Sequence, residues 1–358
     1  MYQLSEYFSF FNVFKYLTVR TSGALLTSLL IVLFSGEKVI RALKAKQKRG
    51  QPIRSDGPES HLAKAGTPTM GGILILGSTI ISSIFWANLT SPFVLLFLFI
   101  IVGFGLIGAY DDLKKLSQGD SKGMQARWKF AAQGTLSVLV ALALLQLTPS
   151  ELHYRVAIPF FKNLTVYIGW FYFLWGICVI TGTSNAVNLT DGLDGLAIVP
   201  VMYVASSFLL ISYLVGHSNF SDYLYIHHIP GAGELTVPLG ALIGGCLGFL
   251  WFNAPPAKIF MGDSGSLSIG ATLGGVSMMV HHELVLCIVG GLFVVEAVSV
   301  ILQVAIFKCT KGRKRIFLMA PIHHHFEKKG WPESTITIRF WIIATILALL
   351  GLTTLKLR

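Results

Sequence analysis

The chain has 358 residues and a formal net charge of +11, with 53% hydrophobic and only 13% charged residues, and a mean hydropathy of +0.67. A water-soluble chain of this length would carry about 25% charged residues, so the composition excludes a soluble enzyme. It also makes the positive charge a property of a membrane surface, with no nucleic-acid partner implied.

From the N-terminus onward, apolar runs predict ten membrane-spanning helices, near 21–37, 71–90, 92–110, 130–148, 165–183, 195–215, 236–252, 266–281, 284–306 and 336–355. The expected fold is an all-α polytopic membrane protein forming one domain over 1–358. Lys15 and Arg20 precede or open the first run, but no small-residue cleavage site follows a short apolar core, so the first span is read as its own targeting signal. Cys178, Cys246, Cys287 and Cys309 all lie in or beside apolar runs. They support neither a disulfide framework nor a cysteine-based zinc site.

Loops 38–70, 111–129, 184–194, 253–265 and 307–335 share one side and contain 21 of the 28 Lys and Arg residues. The other side holds six, and Arg339 lies inside the last span. The positive-inside rule therefore places those loops in the cytoplasm and both termini on the periplasmic side. The polar motifs all fall in this same set of loops. A transporter would spread such groups through the bilayer midplane, whereas this asymmetry fits an enzyme that meets a soluble cytoplasmic substrate.

The first cytoplasmic loop ends in "HLAKAGTPTMGG", which offers Lys64, Thr67 and Thr69 before a glycine pair. It resembles a phosphate-binding turn without matching the P-loop pattern. The second carries "YDDLKK", where Lys115 can share a helix face with Asp111 or Asp112. Two such carboxylates can bind a divalent cation or act as a base beside phosphate, or they can be a solvated helix end with local ion pairs.

In "TSNAVNLTDGLDG", Asn185, Asn188, Asp191 and Asp194 recur at intervals of three. Helix capping accounts for one or two of them; the remainder point to substrate contacts. The stretch "FNAPPAKIFMGDSG" stops one span at Pro255 and Pro256 and opens the next at Asp263, either as a cap or as a magnesium-binding carboxylate beside free backbone N–H groups. Phe260 could stack on a nucleobase or anchor the interface. Inside the ninth span, Glu296 and Gln303 lie on one face, either functional or bonded between helices.

The last cytoplasmic loop supplies His323, His324 and His325. Consecutive positions point in different directions, so one or two imidazoles contacting phosphate or a carboxylate are expected, not a shared metal. The neighbouring "KGRKRIF" reads better as a positive-inside anchor than as a substrate contact. Taken together, the aspartates, lysines, glycines and histidines describe a magnesium–diphosphate site at a membrane surface.

"YDDLKK", "NAVNLTDGLDGLA", "NAPPAKIFMGDSGSL" and "MAPIHHHFEKKGWPE", with "KAGTPTMGG" and the C-terminal "RFWIIATILALLGLTTLKLR", resemble the motifs of the phospho-N-acetylmuramoyl-pentapeptide-transferases. These belong to the polyprenyl-phosphate N-acetylhexosamine-1-phosphate transferases. The likeness spans essentially the whole chain, with no departure at the motif positions.

The resemblance implies ten spans in the bacterial inner membrane and a cytoplasmic active site. It implies magnesium-dependent transfer of phospho-MurNAc-pentapeptide from UDP to undecaprenyl phosphate, giving lipid I and UMP. It also implies that Asp263 binds magnesium and that Asp111, Asp112, Asp263 and His323 are catalytic. Lys64, Thr69, Lys115, Lys129, Asn185, Asn188, Asp191, Asp194, Asn253, Gln303, His324 and His325 would line the substrate site, with Phe260 on uracil. A homodimer is compatible with it. The rival readings are a sister transferase using UDP-GlcNAc and, from another class, a lipid or solute transporter without chemistry.

Overall fold

The computed structural model describes residues 2, 9–47, 66–118, 123–161 and 164–356. Thirteen α-helices and one two-stranded sheet occur among them. Helix α1 (Leu17–Lys46) has 30 residues, about 45 Å at the usual rise, so it outruns a bilayer core roughly 30 Å thick. After it come α2 (Gly72–Trp86), α3 (Pro92–Gln118) and α4 (Ala126–Leu147). Strands β1 (Arg155–Ala157) and β2 (Thr165–Tyr167) pair antiparallel, with Val156 opposite Val166. The chain continues through α5 (Phe171–Thr190), α6 (Ile198–Val215), α7 (Ser218–Leu224), α8 (Thr236–Asn253) and α9 (Gly262–Met279). It ends with α10 (Glu283–Val289), α11 (Gly291–Cys309), α12 (Ile322–Lys328) and α13 (Glu333–Thr353).

Among the described residues, seven helices are long and apolar enough to cross a membrane: α1, α3, α4, α6, α8 with the 3-10 turn before it, α11 and α13. The chain is a polytopic helical membrane protein. Several expected boundaries move, each for a local reason. The run at 165–183 begins as β2, and its helix starts only at Phe171. That helix then continues through Asn185 and Asn188, which were expected in a loop. Likewise α3 runs on to Gln118, so Asp111, Asp112 and Lys115 are helical. The ninth run is interrupted at Gly290, which separates α10 from α11. Hydropathy marks where hydrocarbon begins and ends, whereas hydrogen bonding carries a helix past that limit.

Helix α9 is the centre of the bundle: every residue from Ser264 to Met279 is buried. It packs between α3 and α5, with α2 against its N-terminal end. Its small residues explain how three helices can approach it, as in membrane bundles generally. At Gly108 of α3, an added Cβ would lie 2.2 Å from the carbonyl oxygen of Asp263. The α1–α8 contact has the same character: a Cβ at Gly244 would lie 2.0 Å from the Leu25 carbonyl. Near the N-terminal end of α1, the buried Arg20 guanidinium donates two bonds of 2.8 Å to the Glu234 carboxylate. That pair ties α1 to the turn at Ala232–Leu235.

Candidate active site

The N-terminal end of α9 is where the motif segments meet. Residues 68–72 run beside 260–261: the Phe260 N–H donates to the Pro68 carbonyl (2.9 Å), and the Gly71 and Gly72 N–H groups donate to the Phe260 and Met261 carbonyls (2.8 Å each). Gln47 at the end of α1 clamps this segment, donating to the Thr69 carbonyl at 3.0 Å and accepting from the Thr69 N–H at 2.9 Å. Thr69 Oγ1 is buried without a partner, as is Ser264 Oγ on the first turn of α9. Unpaired hydroxyls are uncommon in a packed interior, and here they border a group of carboxylates. Lys64 lies outside the described residues.

The two adjacent aspartates of α3 do different work. Asp112 is 3% exposed and accepts from the Asp263 N–H at 3.1 Å (Oδ1) and the Ser264 N–H at 2.9 Å (Oδ2). It therefore caps α9 from another helix, satisfying donors that a helix start leaves unpaired. Asp111 accepts from the Met124 N–H at 2.6 Å through Oδ1. Its Oδ2 faces two ammonium groups, Lys115 at 2.7 Å and Lys129 at 3.7 Å. The same lysines reach Asp263 Oδ2, at 3.0 Å from Lys115 and 2.7 Å from Lys129. Asn188 Nδ2 donates to Asp263 Oδ1 at 2.9 Å and to Ser266 Oγ at 2.7 Å. One turn away, Asn185 Nδ2 donates to Gln133 Oε1 at 2.9 Å and to the Thr181 carbonyl at 2.8 Å.

The "DGLDG" connection forms an adjoining wall. Asp191 follows the last turn of α5, and desolvation, then the charges of Asp263, Asp112 and Asp194, hold its carboxyl well above the usual carboxylate range. Asp194 is built into the connection itself: its Oδ2 accepts from the Ala257 N–H at 2.9 Å, and its own N–H donates to Glu333 Oε1 at 2.7 Å. Asn253 is its counterpart, accepting from the Gly195 N–H at 3.1 Å and donating to the Ile259 carbonyl at 2.9 Å. Phe260 is half-buried at the edge of this region.

His323 is fully buried with its Nδ1 3.1 Å from Glu296 Oε1, and its Nε2 lies 2.4 Å from where a Cβ on Gly192 would stand. Hence one histidine of the triplet touches the aspartate connection. His324 instead pairs with Glu327 at 2.6 Å. His325 Nδ1 accepts from the Leu318 N–H at 3.1 Å. Gln303 accepts from the Ile316 and Phe317 N–H groups at 3.0 and 3.1 Å and donates to the Phe317 carbonyl at 3.0 Å. These three hold the last loop in place.

The structure thus brings Asp111, Asp112, Lys115, Lys129, Asn188 and Asp263 into one bonded cluster, with Asn185 a turn below, Thr69 beside it and Asp191 coupled to it by charge. Sequence reasoning missed Gln133, Ser266 and Glu333, whose carboxylate accepts from the Asp194 N–H. Gln133 follows Lys129 by four and Ser266 follows Asp263 by three, so helical spacing from a known site residue was the available signal. Among the described residues, no group of three or more His, Cys, Asp or Glu side chains is arranged to hold a metal ion. A hard cation such as magnesium does not require one: one or two carboxylates with substrate phosphates and water suffice. The carboxylate oxygens of Asp263 and Asp111, which share the Lys115 and Lys129 ammonium groups, are the hard oxygen ligands that would serve that mode once the lysines turn to phosphate.

Comparison with known proteins shows the family. Residues 94–281 match the family model described as glycosyl transferase family 4. Residues 64–76 match signature 1 of the phospho-N-acetylmuramoyl-pentapeptide-transferases. A phospho-N-acetylmuramoyl-pentapeptide-transferase of Rhodopseudomonas palustris strain BisB18 is 54% identical over 349 residues, covering 97% of this chain and 96% of that protein. One from strain BisA53 is 54% identical over 347 residues, with the same coverage of both.

Proposed function

This chain belongs to the phospho-N-acetylmuramoyl-pentapeptide-transferase family, and from that premise we propose that it moves phospho-MurNAc-pentapeptide from its UDP carrier to undecaprenyl phosphate. The products are lipid I and UMP, in the first membrane step of peptidoglycan synthesis. The protein works in the bacterial inner membrane with ten spans, both termini periplasmic and the aspartate site facing the cytoplasm. The carrying observation is the convergence of Lys115, Lys129 and Asn188 on Asp263 beside Asp111.

Asp263 would hold magnesium together with the donor diphosphate, and the ion would supply charge neutralisation at the phosphate oxygens and the departing UMP. The chain's own groups do the rest. Asp112, with both oxygens on main-chain N–H groups, fixes the start of α9 and so the position of Asp263. Asp111, whose Oδ2 meets Lys115 and Lys129, accepts the proton of the lipid phosphate. An oxygen of that phosphate then attacks the sugar-bearing phosphorus; a new P–O bond forms as the P–O bond to UMP breaks.

Lys115 and Lys129, already bridging Asp111 and Asp263, turn to the phosphate oxygens as substrate enters. Lys64, Thr69, Asn185, Asn188 and Asp191 line the donor diphosphate and sugar, and Phe260 lies on the uracil. His323 supports the Asp191–Gly192 turn from behind while His324 and His325 order the last loop. Purified protein given UDP-MurNAc-pentapeptide, undecaprenyl phosphate and magnesium should release UMP. Release from UDP-GlcNAc but not from this donor would overturn the muramoyl assignment in favour of the sister reaction.

A further inference from the structure

Gln133 has no role in the reaction just described, yet it sits one turn below it. The side chain is 0% exposed, and four residues separate it from Lys129 on α4, so both lie on one helix face. Its Oε1 accepts from Asn185 Nδ2 at 2.9 Å, whereas its own Nε2 is buried without a partner. A leucine would fill similar space without burying an unpaired amide. The retained amide is explained by what its oxygen holds.

Asn185 and Asn188 are likewise one turn apart on α5. The upper pair, Lys129 and Asn188, bind the two different oxygens of Asp263, at 2.7 Å on Oδ2 and 2.9 Å on Oδ1. The lower pair, Gln133 and Asn185, bind each other. The four residues and Asp263 form a closed ring across α4, α5 and α9, with the second Asn188 bond to Ser266 Oγ fastening it to α9 again. Fixing the lower rung fixes the spacing of α4 and α5, and with it the distance between the ammonium and amide that orient Asp263.

We propose that Gln133 is a positioning residue, acting through Asn185 to align Lys129 and Asn188 on the two oxygens of Asp263. The proposal rests on the reading of Asp263 as the magnesium-holding carboxylate. Residues that orient a metal-binding group typically affect metal affinity or activity without touching the ion.

The test uses the full-length purified protein with magnesium and UDP-MurNAc-pentapeptide. It compares wild type, Gln133→Leu, Asn185→Leu and the double variant, with Gln133→Met in place of Gln133→Leu should the latter not fold. Gln133→Leu is expected to raise the magnesium needed for half-maximal UMP release about tenfold, lowering kcat with little change in donor KM. The rise in Tm on adding magnesium and donor should shrink, while the Tm without them stays close to wild type. The double variant should be no worse than the worse single one, because both remove the same bond. A wild-type magnesium response, additive losses, or a fall in Tm with unchanged magnesium dependence would each overturn the proposal. Asp263→Asn separates the two claims: normal magnesium dependence there removes the underlying reading, whereas an inactive Asp263→Asn beside a normal Gln133→Leu removes Gln133 alone.

Discussion

Asp191 is held above the usual carboxylate range by desolvation and by three neighbouring acids, and this has a consequence for stability. In an unfolded chain the group titrates near about 3.9. The folded state therefore keeps the extra proton to higher pH, and stability that is complete below that value is lost as pH rises towards the folded pKa. Asp191→Asn removes this loss. In protein free of divalent cations, the Tm difference between variant and wild type should be smallest near pH 4 and widen in the variant's favour towards pH 8. A difference that does not change with pH contradicts the electrostatic account.

At this scale the sequence was informative about residue type and weaker about role. The aspartates and lysines stood out because charge is costly beside hydrocarbon. Their division of labour did not, since Asp111 and Asp112 are adjacent and chemically identical. Only the backbone donors of Asp263 and Ser264 separate the capping carboxylate from the one that faces the lysines. Asp194 and Asn253 looked like substrate contacts, and the structure occupies both in bonds between two connections.

Among the elements, α9 controls the site because its first turn carries Asp263 and its flanks are too small to hold other helices away. Gly108 is a tight point beside the site: its Cβ position lies 2.2 Å from the Asp263 carbonyl and 2.7 Å from the Ser264 Cα, both backbone atoms that cannot swing aside. Gly108→Ala should destabilise the fold by about 1–3 kcal/mol, the usual range for overpacking, and should lower activity with it by moving Asp263. Wild-type Tm and turnover in this variant would remove the claim that the α3–α9 contact sets the site.

Hydropathy located the polytopic helical character, with seven helices among the described residues long and apolar enough to span, but it could not locate helix ends. Asn185, Asn188, Asp111 and Lys115 are polar residues that nevertheless continue their helices. The β1–β2 hairpin was invisible because Thr165–Tyr167 falls inside the run read as the start of a span.

Across the whole molecule, positive charge and polar chemistry fall on the same proposed side, which is why their distribution along the sequence pointed to a membrane enzyme. The proposed orientation is open to a direct check. With the four native cysteines replaced, single cysteines at the exposed positions Phe161 and Arg313 should differ towards a membrane-impermeant maleimide in intact cells. Phe161→Cys should react at once, and Arg313→Cys only after permeabilisation. The reverse pattern would invert the topology and take the site out of reach of a cytoplasmic nucleotide.

The account depends most on Asp263, where α3, α4, α5 and α9 meet. The measurement that addresses it most directly is UMP release from UDP-MurNAc-pentapeptide and undecaprenyl phosphate by wild type and Asp263→Asn, titrated with magnesium. Wild type should be inactive without the ion and active with it, while a folded Asp263→Asn should lose at least about 100-fold at every magnesium concentration. Near-normal turnover by Asp263→Asn, or release of UMP by wild type in excess chelator, would contradict it.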